Sequence, residues 1–294
     1  MKNKKKIVAY HGACLDGSSA AAVFKMRYPE AVFYPIKSRI HTEIKDAILQ
    51  DLKKGDVELF VLDNPWFVED YAKSGVKLTI IDHHKGAFDE LSSLAEQYEN
   101  INYIFDDKKS GASLTWSFLF PDKDLPKFIW HIEDVDIWRM EDKYHSDLIS
   151  TYASIYMDNL DKYIDMINAD IEEIYKLAKP VLDYRDALID YYMRNAQALH
   201  LKVGEYKIKA YNVASIRPVI SEFGNRISKE VKEPVVMFKL FGDLVNLSFR
   251  SASEKWKPLP VDLAQSLGGN GHPLAAGAKM KLQDFLDSLE ESNE

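Results

Sequence analysis

One cysteine, Cys14, among 294 residues excludes an internal disulfide framework. No apolar run approaches the roughly 20 residues that a membrane-crossing helix needs, so no membrane partner is expected. The basic start at residues 2–6 is followed only by Ile7, Val8, Ala9 and Tyr10 before the polar His11, too little for the apolar stretch of a signal peptide. The expected compartment is therefore the cytoplasm. Basic charge is in deficit: 38 Lys and Arg stand against 46 Asp and Glu, a net charge of −8 that argues against coating long nucleic acid through many phosphate contacts. A small phosphorylated ligand stays compatible with that balance. The first loop lacks the GxGxxG spacing, which argues against a dinucleotide-dependent oxidoreductase. Internal repeats and low-complexity tracts are absent as well.

What is present is an ordinary globular composition, 46% hydrophobic and 29% charged, at a length that favours two domains over one. Short apolar runs at 7–10, 32–36, 57–62, 76–81 and 101–105 alternate with helix-compatible spacing at 17–27, 42–54, 66–73 and 88–99. Such alternation predicts an α/β fold with a doubly wound, mainly parallel sheet over residues 1–150. Apolar residues at three- and four-residue intervals, broken once by Pro180, predict a helical connector over 151–202. Strand patterns at 206–214, 235–240 and 244–249, with helices at 218–230 and 282–291, predict a smaller mixed α/β domain over 203–294.

In parallel sheets ligands bind beyond the carboxyl ends of the strands. His11 follows the first expected strand, with Asp16 on the next loop; Asp63 follows the third; Asp82, His83 and His84 follow the fourth. A mixed set of carboxylates and imidazoles suits Mn²⁺, Fe²⁺, Zn²⁺ or Mg²⁺, with Mn²⁺ the first choice. Two ions roughly 3.5–4 Å apart need a shared carboxylate, and Asp63, between the other groups in sequence, is the natural bridge. Asp134 or Asp136, in the acidic run that begins at Glu133, could complete the second ion's shell; an acidic helix start is the competing account. His41, His131, His145 and His200 have no partner at ligand spacing and read as structural or exposed.

Together these residues resemble the DHH family of phosphoesterases, which includes RecJ-type exonucleases, nanoRNases, cyclic-dinucleotide phosphodiesterases and family II pyrophosphatases. The resemblance runs from His11-Gly12-Ala13-Cys14-Leu15-Asp16-Gly17, through Asp63 and the triplet Asp82-His83-His84, to Asp134 or Asp136. Downstream, the glycine-rich run from Gly268 to Gly277 and the arginine of Phe249-Arg250-Ser251 are similar to the DHH-associated C-terminal domain, which family II pyrophosphatases lack.

The resemblance implies that His11 and Asp63 bind one ion and that Asp16, Asp63, His83 and Asp134 bind the other, with His84 on the scissile phosphate and Asp82 orienting its neighbours. Arg250, Ser251, Gly269, Gly271 and His272 would hold the substrate. Cys14 stands where the family usually has an Asp, so it is either a thiolate ligand or a buried neutral thiol. The activity implied is divalent-metal-dependent hydrolysis of a short oligonucleotide or a cyclic or linear dinucleotide to nucleoside monophosphates, with a hydroxide between the ions as nucleophile. An oligoribonuclease or exonuclease fits that description. The alternatives are a phosphomonoesterase acting on 3′-phosphoadenosine 5′-phosphate and a silent nucleotide-binding protein. Phe249 and Trp256 flank Arg250 as candidate base-stacking residues, core packing being the favoured role for Phe249. Homodimerisation is left open.

Overall fold

The computed structural model describes residues 4–37, 42–213 and 217–290; His41 and the ends of the strand expected to 214 and of the helix expected to 291 lie outside them. Contacts divide the chain into two compact units, Met1–Leu182 and Asp183–Glu294, with the boundary inside the segment expected as a connector. Among the described residues no helix is long and apolar enough to cross a membrane.

The first unit runs β1 (Lys5–His11), α1 (Leu15–Arg27), β2 (Val32–Ile36), α2 (Thr42–Leu52), β3 (Val57–Leu62), α3 (Val68–Ala72), β4 (Lys77–Asp82), α4 (Phe88–Gln97) and β5 (Ile101–Phe105). The helices α5 (Gly111–Leu119), α6 (Lys127–Asp136), α7 (Lys143–Ala153), α8 (Leu160–Asn168) and α9 (Ile171–Asn195) follow. Helix α9 continues through Pro180 and carries the boundary between the units.

The five strands form an all-parallel sheet in the order β2-β1-β3-β4-β5. Side chains alternate between faces along each strand. Ile7, Ala9, Leu59 and Val61 therefore enter one core, with Ile48, Tyr71 and Leu91 from α2, α3 and α4. Val8, Tyr10, Phe60 and Leu62 enter another, with Phe24 of α1, Trp116 of α5, Phe128 of α6 and Tyr163 of α8. A strand covered on both faces must be apolar nearly throughout, which is why the sequence of β3 reads as one hydrophobic run. Each fully buried Leu, Ile or Phe contributes about 1.5–3 kcal/mol by leaving water, so these two layers hold the sheet rigid. Chain order reverses between β1 and β3, the point where such sheets open a crevice.

The second unit holds the C-terminal part of α9, then β6 (Ala198–Val203), β7 (Tyr206–Asn212), α10 (Arg217–Val231), β8 (Val235–Phe241), β9 (Leu244–Arg250), α11 (Pro260–Ser266), β10 (Asn270–His272), β11 (Ala275–Lys281), α12 (Leu282–Asp287) and β12 (Leu289–Glu290). Its mixed sheet has the order β10-β11-β9-β8-β7-β6-β12, with only β7 and β8 parallel. The helix expected at 282–291 stops at Asp287, and Leu289–Glu290 instead pairs with β6 at the sheet edge. Phe249 is fully buried in the core of this unit, so its ring packs and does not stack a base.

Candidate metal centre

β1 ends on His11; Ala13 then takes a left-handed backbone (φ 54), Cys14 is the N-cap of α1, and Asp16 lies in that helix's first turn. Asp63 follows β3, also left-handed (φ 52), with its amide donating to the Ile81 carbonyl at 2.9 Å. Asp is among the few residues other than Gly that accept this conformation with some ease, and here it turns the carboxylate across the end of β4. β4 delivers Asp82, followed directly by His83 and His84, and α6 ends on Asp136.

These elements bring the side chains to one place. His83 Nε2 lies 3.3 Å from Asp63 Oδ1, 3.2 Å from Asp136 Oδ2 and 3.7 Å from Asp16 Oδ2. His11 Nδ1 is 3.4 Å from Asp63 Oδ2. His84 Nδ1 is 2.7 Å from Asp82 Oδ1 and 3.7 Å from Asp63 Oδ1. Two donor triads result, His11–Asp63–His84 and Asp16–Asp63–His83, each with one donor atom per residue, all within 4.8 Å of one another. Asp63 belongs to both.

Asp63 is buried, and neither of its oxygens has a hydrogen-bond partner among the described residues. Leaving a buried carboxylate oxygen unsatisfied is costly, so two such oxygens beside imidazoles are suited to a cation on each side. The residues present therefore fit a pair of divalent ions.

The electrostatics agree. Burial, with Asp63 and Asp136 close by, raises the Asp16 carboxyl well above its usual range. Burial and Asp63 likewise push Asp136 up to about 6. Burial also opposes ionisation of Asp63, yet His11 and His83 outweigh it and hold its carboxyl low. For His83 burial favours the neutral ring, but Asp63, Asp16 and Asp136 overcome it and lift the imidazole to about 10. Burial and the same three carboxylates push the Cys14 thiol well up. Cys14 thus borders the cluster but enters neither triad.

Asp16 is fixed by the first turn of α5: its two oxygens accept from the Gly111 amide at 2.6 Å and the Ala112 amide at 2.9 Å, where the helix dipole favours an anion. Gly111 is required there. A Cβ on it would stand 2.7 Å from the Asp63 Cβ and 2.9 Å from Asp16 Oδ2. Sequence reading missed this residue, although Ser110-Gly111 after β5 has the form of a helix N-cap, and Ser110 does accept from the Ser113 amide.

Asp134 is not brought into the cluster. The acidic run is the end of a helix, not its start, and two helical residues stand about 200° apart around the axis, so Asp134 and Asp136 cannot both face His83. The Asp134 carboxylate accepts from the Glu141 amide at 2.9 Å, the Asp142 amide at 3.3 Å, Ser146 Oγ at 2.6 Å and Arg139 Nε at 3.4 Å. Ser146 in turn meets His131 Nδ1 at 3.0 Å, and His131 Nε2 meets the Tyr175 hydroxyl at 2.5 Å. Glu133 accepts from the Ser110 amide, from Ser113 Oγ and from Arg139.

The five residues expected to hold substrate lie in the second unit. Arg250 donates to the Phe249 carbonyl and to Ser221 Oγ, and Ser251 is buried with its hydroxyl bonded to the Ser253 carbonyl. Gly269 and Gly271 allow close packing against β11, because Cβ atoms there would fall 2.2 Å from the Gly277 carbonyl oxygen and 2.4 Å from the Ala276 Cα. His272 pairs with Ala275 and is exposed.

No protein-family profile matches the chain. An uncharacterized protein, R106 of Acanthamoeba polyphaga mimivirus, is 25% identical across 94% of this chain and 68% of its own length. Among solved structures, a pGpG-specific phosphodiesterase, PggH of Vibrio cholerae, superposes with a TM-score of 0.52 at 12% identity, covering 96% of this chain and 95% of that one. RecJ of Thermus thermophilus, solved in complex with Mn²⁺, gives 0.53 at 13% identity, covering 96% of this chain and 50% of that one. The chain has a RecJ-like fold.

Proposed function

We propose that this protein is a divalent-metal-dependent phosphodiesterase that hydrolyses short oligonucleotides or cyclic or linear dinucleotides to nucleoside monophosphates. The observation that carries the reading is that Asp63 is common to both donor triads while, among the described residues, both of its oxygens lack hydrogen-bond partners. His11, Asp63 and His84 border one ion position, and Asp16, Asp63, His83 and Asp136 the other. Mn²⁺ is the proposed ion because oxygen and imidazole donors are mixed. An ion pair bound there supplies charge neutralisation at the phosphoryl oxygens and lowers the pKa of an attacking water.

The chain's own groups do the rest. Asp82 holds Nδ1 of His84, which leaves Nε2 to contact the phosphate or pass a proton to the leaving oxygen. Gly111 and Ala112 fix Asp16 before substrate arrives, so little reorganisation is needed during the reaction. Arg250 and His272 are the proposed phosphate-binding groups of the second unit, Arg250 through a bidentate fork.

The test is incubation of the pure protein with Mn²⁺ and a panel of short RNA, short DNA, cyclic dinucleotides and 3′-phosphoadenosine 5′-phosphate, with products identified by mass. Nucleoside monophosphates from the dinucleotides support the reading. Release of inorganic phosphate alone would make the protein a phosphomonoesterase, and no metal-dependent product would leave a nucleotide-binding protein.

A further inference from the structure

Two residues beyond Asp136 stands Trp138, and its surroundings are unusual for a tryptophan. Its side chain is 67% exposed and its backbone is left-handed, φ 59. A bulky residue in that conformation is strained, and such strain persists only where neighbouring structure enforces it. The enforcing group is Asp134. Its carbonyl accepts from the amides of Arg139 and Met140, and its carboxylate accepts from those of Glu141 and Asp142. Four consecutive amides gathered on one residue close the chain into a tight loop, with Met140 left-handed as well (φ 54). Arg139 adds to the clamp by pairing with Glu133 and lying 5.0 Å over the ring of Trp130.

The loop therefore spends strain and a buried carboxylate to expose an indole. Folding alone gives no reason for that, since burying the ring would stabilise the unit. Two residues span at most about 7 Å, so the Trp138 backbone lies within that reach of Asp136, which meets His83 in the cluster. Trp66 occupies a matching place three residues beyond Asp63, with its ring edge-on to that of His11 at 5.3 Å. Its ring is half-buried against the core, whereas that of Trp138 is open to solvent.

We propose that Trp138 is a stacking platform for a nucleobase attached to the phosphodiester, and that Asp134 is the positioning residue that shapes its loop. This rests on the phosphodiesterase reading and deepens it, because stacking is sequence-tolerant and gives affinity for a base without reading its edges. A substrate is thus recognised as a nucleotide, and not merely as a phosphate ester.

The experiment compares binding of a purine nucleoside monophosphate and of ribose 5-phosphate to the Mn²⁺-loaded wild type, W138A and W138F by calorimetry, with dinucleotide hydrolysis assayed in parallel. Stacking on one aromatic side chain corresponds to a loss of roughly 5- to 150-fold in nucleotide affinity for W138A. Ribose 5-phosphate should bind W138A as it binds the wild type, and W138F should recover most of the nucleotide affinity. An equal loss for both ligands, or no loss for either, in a protein whose wild type hydrolyses the dinucleotide overturns the platform alone. A wild type that neither hydrolyses the dinucleotide nor binds the nucleotide removes the phosphodiesterase reading and the platform with it.

Discussion

The Nδ1 atom of His84 lies 2.7 Å from Oδ1 of Asp82, while the second oxygen of Asp82 is buried without a hydrogen-bond partner among the described residues. Asp82 therefore fixes the ring of His84 and stays outside both donor triads. D82N is expected to lower turnover about 10- to 100-fold, the usual effect of losing a group that orients an active imidazole. A fall in turnover with Mn²⁺ affinity retained by calorimetry places His84 on the phosphate, whereas an equal fall in both makes His84 an ion donor that Asp82 orients.

Asp63 joins the two triads, so D63N should reduce turnover by about three orders of magnitude or more. A ligand that binds only the folded state adds about 2.7 kcal/mol of stability at a hundredfold excess over its Kd. Mn²⁺ should raise the melting temperature of the wild type, chelation should reverse the rise, and D63N should show little of it.

Gly111 touches both Asp16 and Asp63, whereas its neighbour Ser110 caps α5 by accepting from the Ser113 amide at 3.3 Å. G111A should displace both carboxylates and weaken Mn²⁺ binding at least tenfold. S110A should cost about 1 kcal/mol of stability by loss of the cap and should disturb the ions less. Paired denaturation and calorimetry of the two variants check the contrast.

Asp134 and Asp136 are two residues apart with different surroundings. D134A leaves the amides of Glu141 and Asp142 without their acceptor, takes one partner from Ser146 and from Arg139, and should cost about 3–5 kcal/mol in urea unfolding. D136A removes one of the three carboxylates around His83, the one at 3.2 Å, and should chiefly weaken Mn²⁺ binding.

Burial holds the His131 imidazole below its usual pKa, with His145 and Lys127 adding to that effect and Asp142 and Asp134 opposing it. Above the unfolded value of about 6.5 the ring is neutral in both states and its contribution to stability is complete. As pH falls below that value the unfolded chain takes up the proton first, and the contribution is lost as pH passes through the folded pKa. Urea midpoints should therefore fall between pH 7 and pH 5 in the wild type, with a shallower slope in H131Q.

The parallel sheet was legible because strands buried on both faces must be apolar nearly throughout, and the ends of those runs located His11, Asp63 and His83. Helix phase was not legible. Whether Asp134 or Asp136 meets His83 depends on which face of α6 turns towards it, and the Asp134 carboxylate is taken up instead by the amides of Glu141 and Asp142. Gly111 escaped notice because its contacts with Asp16 and Asp63 are long-range. Glycines 269 and 271 suggested an anion cradle, yet their close contacts with β11 are visible only once the strands are paired.

Cys14, at the border of the cluster, has a property that no carboxylate there shares: it is the one thiol among 294 residues. Cobalt(II) introduced in place of the native ion would show a thiolate-to-metal absorption only if that sulfur ligates it, with no other cysteine to confuse the assignment. The residue that departs from the DHH pattern is thereby a built-in optical reporter, and one spectrum distinguishes sulfur at the ion from sulfur beside it.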